Sequence, residues 1–281
     1  MQNAFSHIAI VIKENHEQAR ELGDRIGRWL AERGVGFQIL INDQNGQGLC
    51  LEGPGPDLIL VLGGDGTVLS VARKLDRGPD LPLLGLNLGQ IGFLTELSPE
   101  GWQDGLAKVL AGEYSLFPKV ILQYAVERDG ERIEQGRVVN DLVVGRSGLA
   151  RLIGLRIWCG EEELGQLRAD GMIVSTPIGS TAYAVAAGGA IIGPDLRAME
   201  LCPVNPFMSR FRPLILASDN TVTIEVDHES RDVLLTLDGQ SGNRLEAGDR
   251  VVIREAERPL RFLQPSGSSY IRKLRNKGYL G

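Results

Sequence analysis

The hydrophobic period of this chain changes near Phe117, and that change divides it into two domains of different class. Upstream, strand and helix signals alternate. His7–Lys13 is a short apolar run, and Glu17–Arg33 sets Ala19, Leu22, Ile26, Trp29 and Leu30 at helical spacing before Gly34. Phe37–Ile41, Asp57–Leu62 and Leu81–Leu86 read as further buried strands. Helices are expected from Asp65 to about Leu75 and over Pro99–Leu110. Such alternation implies an α/β N-terminal domain with a parallel, Rossmann-like sheet covered by helices. Downstream the period is two, with frequent turns. Lys119–Arg128 and Arg132–Gly145 flank Asp129-Gly130, a hairpin signal. Leu152–Trp158, Met172–Ser175, Thr221–Val226, Val233–Leu237 and Arg250–Ile253 follow as strands, with a small-residue helix over Thr181–Gly188. This half reads as β-rich and mainly antiparallel. The expected domains are 1–115 and 116–265, with the basic tail (266–281, helical over Tyr270–Lys277) returning to the first.

Composition narrows the function classes. A net charge of −6 and a pI near 5.3 give no overall attraction to nucleic acid or anionic membranes. The three cysteines (Cys50, Cys159, Cys202) and three histidines (His7, His16, His228) are scattered, which argues against a zinc site or a disulfide framework. The apolar run at Ile8–Ile12 is of strand length, and no stretch approaches the roughly 18 apolar residues of a membrane span. The expectation is a soluble, cytoplasmic protein without a membrane or nucleic-acid partner.

Glycine is abundant, 36 of 281 residues, and part of the excess gathers in Gly63-Gly64-Asp65-Gly66-Thr67. This turn leaves a buried strand and opens a helix, where backbone N–H groups and the helix N-terminus suit an anion. It lacks the Lys-Ser/Thr ending of a Walker A loop and the GxGxxG spacing, so Asp65 reads either as a helix cap or as a group at a ligand site. Asn140-Asp141 interrupts an apolar run. A carboxylate there must be paired, face a cleft, or cost stability; the pair suits ribose hydroxyls, or belongs to an outward-facing edge strand.

In Ser175–Tyr183 (STPIGSTAY) a strand stops at Pro177 and turns at Gly179 before a helix almost without bulk, Ala184-Val185-Ala186. That helix either packs closely on another backbone or leaves room for a flat ligand beside Tyr183. Arg151, Arg168 and Asp170 precede it; the arginines are phosphate grips or solvated surface groups. Asp238-Gly239-Gln240 reads as a hairpin turn.

Taken in order, GGDGT, the Asn-Asp pair, TPxGSTAY followed by a Gly pair, and the late Asp-Gly-Gln resemble the NAD kinase family over nearly the whole chain. Leu86–Thr95 (LNLGQIGFLT) is similar to the family's LGFLT segment. GGDGT alone is shared with lipid kinases of the diacylglycerol type, so the ordered set carries the resemblance. It implies transfer of the ATP γ-phosphate to the 2′-hydroxyl of NAD's adenosine ribose, at a site between an α/β and a β-rich domain, in homodimers or homotetramers. Asp65 would be the proton acceptor. NAD would be bound by Asp65, Gly66, Asn140, Asp141, Arg151, Arg168, Asp170, Thr181, Ala182, Tyr183, Ala184, Val185, Ala186 and Gln240, some of them reaching across a subunit boundary. Gly63, Gly64, Gly66 and Thr67 would face ATP phosphates, and Mg²⁺ or another divalent cation would arrive on ATP rather than in a protein-built cage.

Three positions depart from the family's pattern: Ile178 where Thr is usual, Ser70 where a basic residue is frequent, and Pro203–Phe207 in place of Pro-His-Ser/Thr-Leu. Two other functions remain as alternatives. A lipid kinase would share Asp65 but need an apolar entrance for acyl chains. A non-catalytic NAD(P)-sensing module would bind without turnover.

Overall fold

A computed structural model describes residues 3–43, 55–75, 81–89, 92–148 and 151–280. Cys50, together with Gln90 and Ile91 of the LNLGQIGFLT segment, lies outside them. The elements run β1 (His7–Lys13), α1 (Glu17–Ala31), β2 (Gly36–Asn42), β3 (Leu58–Leu62), α2 (Asp65–Lys74), β4 (Leu83–Leu86), α3 (Trp102–Leu110) and β5 (Tyr114–Lys119). They continue with β6 (Leu122–Arg128), β7 (Glu131–Val138), β8 (Asp141–Arg146), β9 (Ile153–Cys159), β10 (Glu162–Ala169), β11 (Gly171–Ser175) and α4 (Tyr183–Ala186). Then come β12 (Ala198–Val204), β13 (Leu214–Ala217), β14 (Val222–Val226), β15 (Val233–Leu237), β16 (Ser241–Leu245), β17 (Arg250–Glu255), β18 (Leu260–Pro265) and α5 (Tyr270–Asn276). The chain forms two compact units: Met1–Pro118 with Leu260–Gly281, and Lys119–Pro259.

The first unit is built on a six-stranded sheet of order β2-β1-β3-β4-β18-β5. Its pairings β1/β2, β1/β3, β3/β4 and β4/β18 are parallel within a mixed sheet. β3 (LILVL) is buried at every residue, as a central strand covered on both faces must be. α1 lays Ala19, Leu22, Ile26 and Leu30 into this core, and Gly34 ends the helical segment with a left-handed φ of +72°. The periodicity predicts these elements but neither β5 nor β18; the short run of β18, closed by Pro265, enters the sheet from the far end of the chain.

The second unit holds two antiparallel six-stranded sheets, β10-β9-β14-β17-β6-β7 and β13-β12-β11-β8-β15-β16. Their apolar residues, including Leu122 and Val126 of β6, Leu142 and Val144 of β8, and Ile224 of β14, share one core. Along β11, Met172 and Val174 enter that core while Ile173 faces the opposite way, against Ala184 and Cys202. A strand buried on both faces reads as a continuous apolar run, and the small residues of α4 allow a short helix to lie on it. The Asp129-Gly130 hairpin forms with both residues at positive φ, +52° and +81°, the pattern of a type I′ turn.

Two local expectations are corrected. Arg132–Gly145 is not one strand: it breaks between β7 and β8 at Val139-Asn140. The Thr181–Gly188 segment is not one helix: Gly179–Thr181 makes a 3₁₀ turn, Ala182 leaves helical geometry (φ −99°, ψ −116°), and α4 is a single turn.

Candidate functional site

The candidate residues fall into two groups, one in each unit. In the first, β3 runs into Gly63-Gly64 and α2 starts at Asp65. Gly63 is buried, and a Cβ there would stand 2.5 Å from Thr67 Oγ1, so the turn closes only on glycine. Gly64 occupies the N-cap position, and no side chain caps the helix. Of the two readings of Asp65, the cap is therefore removed.

The Asp65 carboxylate turns instead to the segment after β4. Its Oδ2 accepts from Phe93 N–H at 2.9 Å and its Oδ1 from Leu94 N–H at 3.0 Å. Gly92 lets the chain pass this closely, since a Cβ there would be 2.0 Å from Asp65 Oδ1. Two N–H donors, one per oxygen, fix the plane of the carboxylate and leave lone pairs on both oxygens for a further donor. Gly66 is exposed and Thr67 half-buried beside it. Ser70, one turn further along α2, is engaged by Asn42 Nδ2 at 3.1 Å.

In the second unit, Asn140-Asp141 sits at the break between β7 and β8. Three consecutive N–H groups converge there on the Asp238 carboxylate: Val139 at 3.1 Å, Asn140 at 2.7 Å and Asp141 at 3.2 Å, all to Oδ1. Three donors on one buried carboxylate replace the ladder bonds that the chain gives up at the break. The TPIGS turn holds the other side. Thr176 Oγ1 donates to Val139 O at 2.7 Å, Thr176 N–H to Asn140 O at 2.8 Å, and Gly179 N–H to Thr176 Oγ1 at 3.1 Å. A Cβ on Gly179 would lie 2.0 Å from Asn140 O, so glycine is required by close approach. Three motifs far apart in sequence thus build one backbone constellation. From sequence its Asp member reads as part of a hairpin turn, because the partner segment lies 98 residues upstream.

Side chains presented by this constellation line an open cleft of about 550 Å³, together with Asp170, Ala182 and Tyr183. Asn140 Oδ1 is buried without a hydrogen-bond partner, a group that a ligand donor would satisfy. Asp141 is 5% exposed; burial first, then the neighbouring Asp238 carboxylate, pushes its carboxyl up to about 7. Tyr183, 46% exposed, lines the cleft. Asp170 is held from both sides, by Arg146 Nε at 2.7 Å and Asn205 Nδ2 at 2.9 Å.

Arg146 and Asn205 also line the cleft and were not singled out from sequence. Asn205 adopts a left-handed φ of +45°, which Asn tolerates, and it belongs to the Pro203–Phe207 segment that departs from the family's pattern. Thr181, Ala184, Val185, Ala186 and Gln240 flank the cleft residues in sequence without lining it, and Ala184 is wholly buried. Arg151 and Arg168 are exposed and lie outside the lining. Ile178 is buried. Among the described residues no three His, Cys, Asp or Glu side chains are placed to hold a metal ion, and no helix is long and apolar enough to cross a membrane.

Comparison with known proteins gives one consistent family. Residues 47–114 match the family model of the ATP-NAD kinase N-terminal domain, and residues 139–264 that of the ATP-NAD kinase C-terminal domain. The chain is 41% identical over 280 residues to an NAD kinase of Nitratidesulfovibrio vulgaris (strain Miyazaki F), covering 100% of this chain and 99% of the relative. With an NAD kinase of Syntrophotalea carbinolica it shares 41% over 284 residues, 97% of this chain and 98% of the relative. Among solved structures, yeast NADH kinase complexed with NADH superposes with a TM-score of 0.84 at 23% identity, over 98% of this chain and 88% of that one. An NAD kinase from Archaeoglobus fulgidus in complex with ATP gives 0.75 at 27% identity, over 98% and 100%.

Proposed function

The chain belongs to the NAD kinase family, and from that membership we propose that it transfers the γ-phosphoryl group of ATP to the 2′-hydroxyl of the adenosine ribose of NAD, giving NADP. The observation that carries this reading is the end-to-end identity to proteins named NAD kinase, with both family domains matched in order. No observation favours lipid phosphorylation or mere NAD(P) sensing.

In the proposed reaction the ribose oxygen forms a bond to the γ-phosphorus, the bond from the γ-phosphorus to the β–γ bridging oxygen breaks, and ADP leaves. The hydroxyl proton passes to Asp65. A carboxylate is a weak base for a sugar hydroxyl, so Asp65 first orients that hydroxyl and takes the proton late, as the transferring group moves across. Its two backbone N–H bonds support this role by holding the carboxylate plane still. Gly63, Gly64, Gly66 and Thr67 form the turn to which the ATP phosphates are assigned.

Asn140 and Asp141 are assigned to ribose hydroxyls of the dinucleotide. The unpartnered Asn140 Oδ1 and the cleft-facing Asp141 carboxyl suit hydroxyl donors. Asp170, Ala182 and Tyr183 lie along the same cleft. Arg151, Arg168, Thr181, Ala184, Val185, Ala186 and Gln240 complete the assignment from family resemblance alone. A divalent cation, Mg²⁺ in the first instance, would be carried by the nucleotide substrate and would supply neutralisation of phosphate charge. Homodimers or homotetramers and a cytoplasmic location complete the proposal.

The test is direct. Purified protein with ATP, Mg²⁺ and NAD is assayed through an NADP-specific dehydrogenase. ATP-dependent NADP formation is expected; folded protein that binds NAD yet forms none would contradict the reading.

A further inference from the structure

We propose that Lys273, on the C-terminal helix, is a positioning residue for Asp65 and acts through one peptide group. The inference rests on Asp65 being the proton acceptor of the proposed reaction. Lys273 is carried by α5, whose first turn is capped by Ser269. Its ammonium donates to Phe93 O at 3.0 Å, Thr95 O at 2.9 Å and Glu96 Oε1 at 2.7 Å. A lysine has three N–H donors, and all three are used. The Lys273 side chain is only 10% exposed and that of Glu96 12%, so the pair is largely withdrawn from solvent and its geometry is set from several sides. Gln264 Nε2 and Ser268 Oγ hold Glu96 in turn.

The carbonyl of Phe93 and the N–H of Leu94 are the two ends of one peptide group. The ammonium binds the oxygen end; the hydrogen end donates to Asp65 Oδ1 at 3.0 Å. A cation on the carbonyl polarises the amide and makes its N–H a stronger donor to a carboxylate, the cooperative effect expected of hydrogen bonds in series. Phe93 is bound twice over: its N–H reaches Asp65 Oδ2, and its ring meets Tyr270 and Tyr279 at centroid distances of 6.0 and 5.9 Å. The tail therefore grips the back of the segment whose front orients Asp65. Gly85 lets that segment press on β4, since a Cβ there would be 2.7 Å from Leu94 O.

Removing the ammonium frees the Phe93–Leu94 peptide to turn and loosens the aim of the carboxylate. That loss falls on the chemical step, not on the dinucleotide contacts assigned to the second unit. The test compares the unsubstituted protein, Lys273→Met, Asp65→Asn and the double variant, each shown folded by thermal melting, in the coupled NADP assay. Expected are a fall in kcat of about tenfold or more for Lys273→Met with the NAD KM changed less than about twofold, and a double variant no slower than Asp65→Asn alone. A kcat within about twofold of the unsubstituted protein, a loss expressed in KM, or a loss that multiplies onto that of Asp65→Asn would overturn the inference. If Lys273→Met does not fold, Lys273→Gln, which keeps amide donors without the charge, is judged by the same criteria. Failure of the unsubstituted protein to form NADP would count against the proposed reaction and is distinct from each of these results.

Discussion

Asp238 and Asn140 are 98 residues apart in the chain, yet the Asn140 N–H meets Asp238 Oδ1 at 2.7 Å, between two further N–H donors from Val139 and Asp141. A carboxylate that looks like part of a hairpin turn is thus the anchor of the proposed ribose-binding pair.

Asp238→Ala leaves three neighbouring buried or half-buried N–H groups without their acceptor. At about 1–3 kcal/mol for each unmet group, partly offset by water reaching the cleft, the loss should be roughly 3 kcal/mol or more. Chemical denaturation should show that loss, and calorimetry should show NAD affinity reduced with it. Thr176→Val, which keeps the shape and removes the hydroxyl between Val139 O and Gly179 N–H, should cost about 1–3 kcal/mol by the same measurement.

Asp141 should make stability fall as pH rises through the weakly acidic range. Its carboxyl ordinarily titrates at 3.8 and is pushed up to about 7 in the fold. Between those values the native state holds a proton that the unfolded chain has released. The native state is therefore favoured most at the acid end, loses up to roughly 4 kcal/mol as pH rises through about 7, and then levels off. Asp141→Asn should flatten this dependence; denaturant midpoints between pH 4 and 8 measure it.

The same group should couple NAD binding to pH. A ribose hydroxyl donates to the ionised carboxylate, whose population rises about tenfold between pH 6 and pH 8 for a group titrating near 7. NAD affinity should rise by a comparable factor, with proton release detectable by calorimetry in buffers of different ionisation enthalpy. Affinity that is flat or falls with pH would count against a hydroxyl-accepting Asp141.

Gly92→Ala and Gly179→Ala should be damaging in different ways. Each would place a Cβ 2.0 Å from an oxygen, Asp65 Oδ1 in the first case and Asn140 O in the second. The first should lower kcat with NAD affinity largely kept, and the second should weaken NAD binding. Steady-state kinetics alongside calorimetry separates the two.

The sequence shows the α/β and β-rich halves plainly, because buried central strands and period-two strands leave different apolar patterns. Contiguous motifs were equally legible: GGDGT, Asn140-Asp141 and the TPIGSTAY turn could each be tied to a physical reason for glycine, amide or carboxylate. What stayed hidden depends on contacts between distant segments. β12 carries Glu200 and Pro203, and neither suggests a strand, yet Pro203 pairs with Met172 within the antiparallel sheet. The break at Val139-Asn140 is invisible without Asp238. Lys273 reads as one basic residue in a basic tail, and only the fold brings it to the carbonyl of Phe93. Asn205 and Arg146 gain their meaning from Asp170, which lies between them in sequence and bonds to both.

The measurement that tests the central claim most directly is the Asp65→Asn variant in the NAD-dependent reaction. Asn keeps the size of the side chain and one of the two acceptors for the backbone N–H groups of Phe93 and Leu94, and removes the proton acceptor. The account predicts a folded variant that binds NAD with near-normal affinity and forms NADP from ATP at least about a hundredfold more slowly than the unsubstituted protein. A variant that turns over at a near-normal kcat would contradict it.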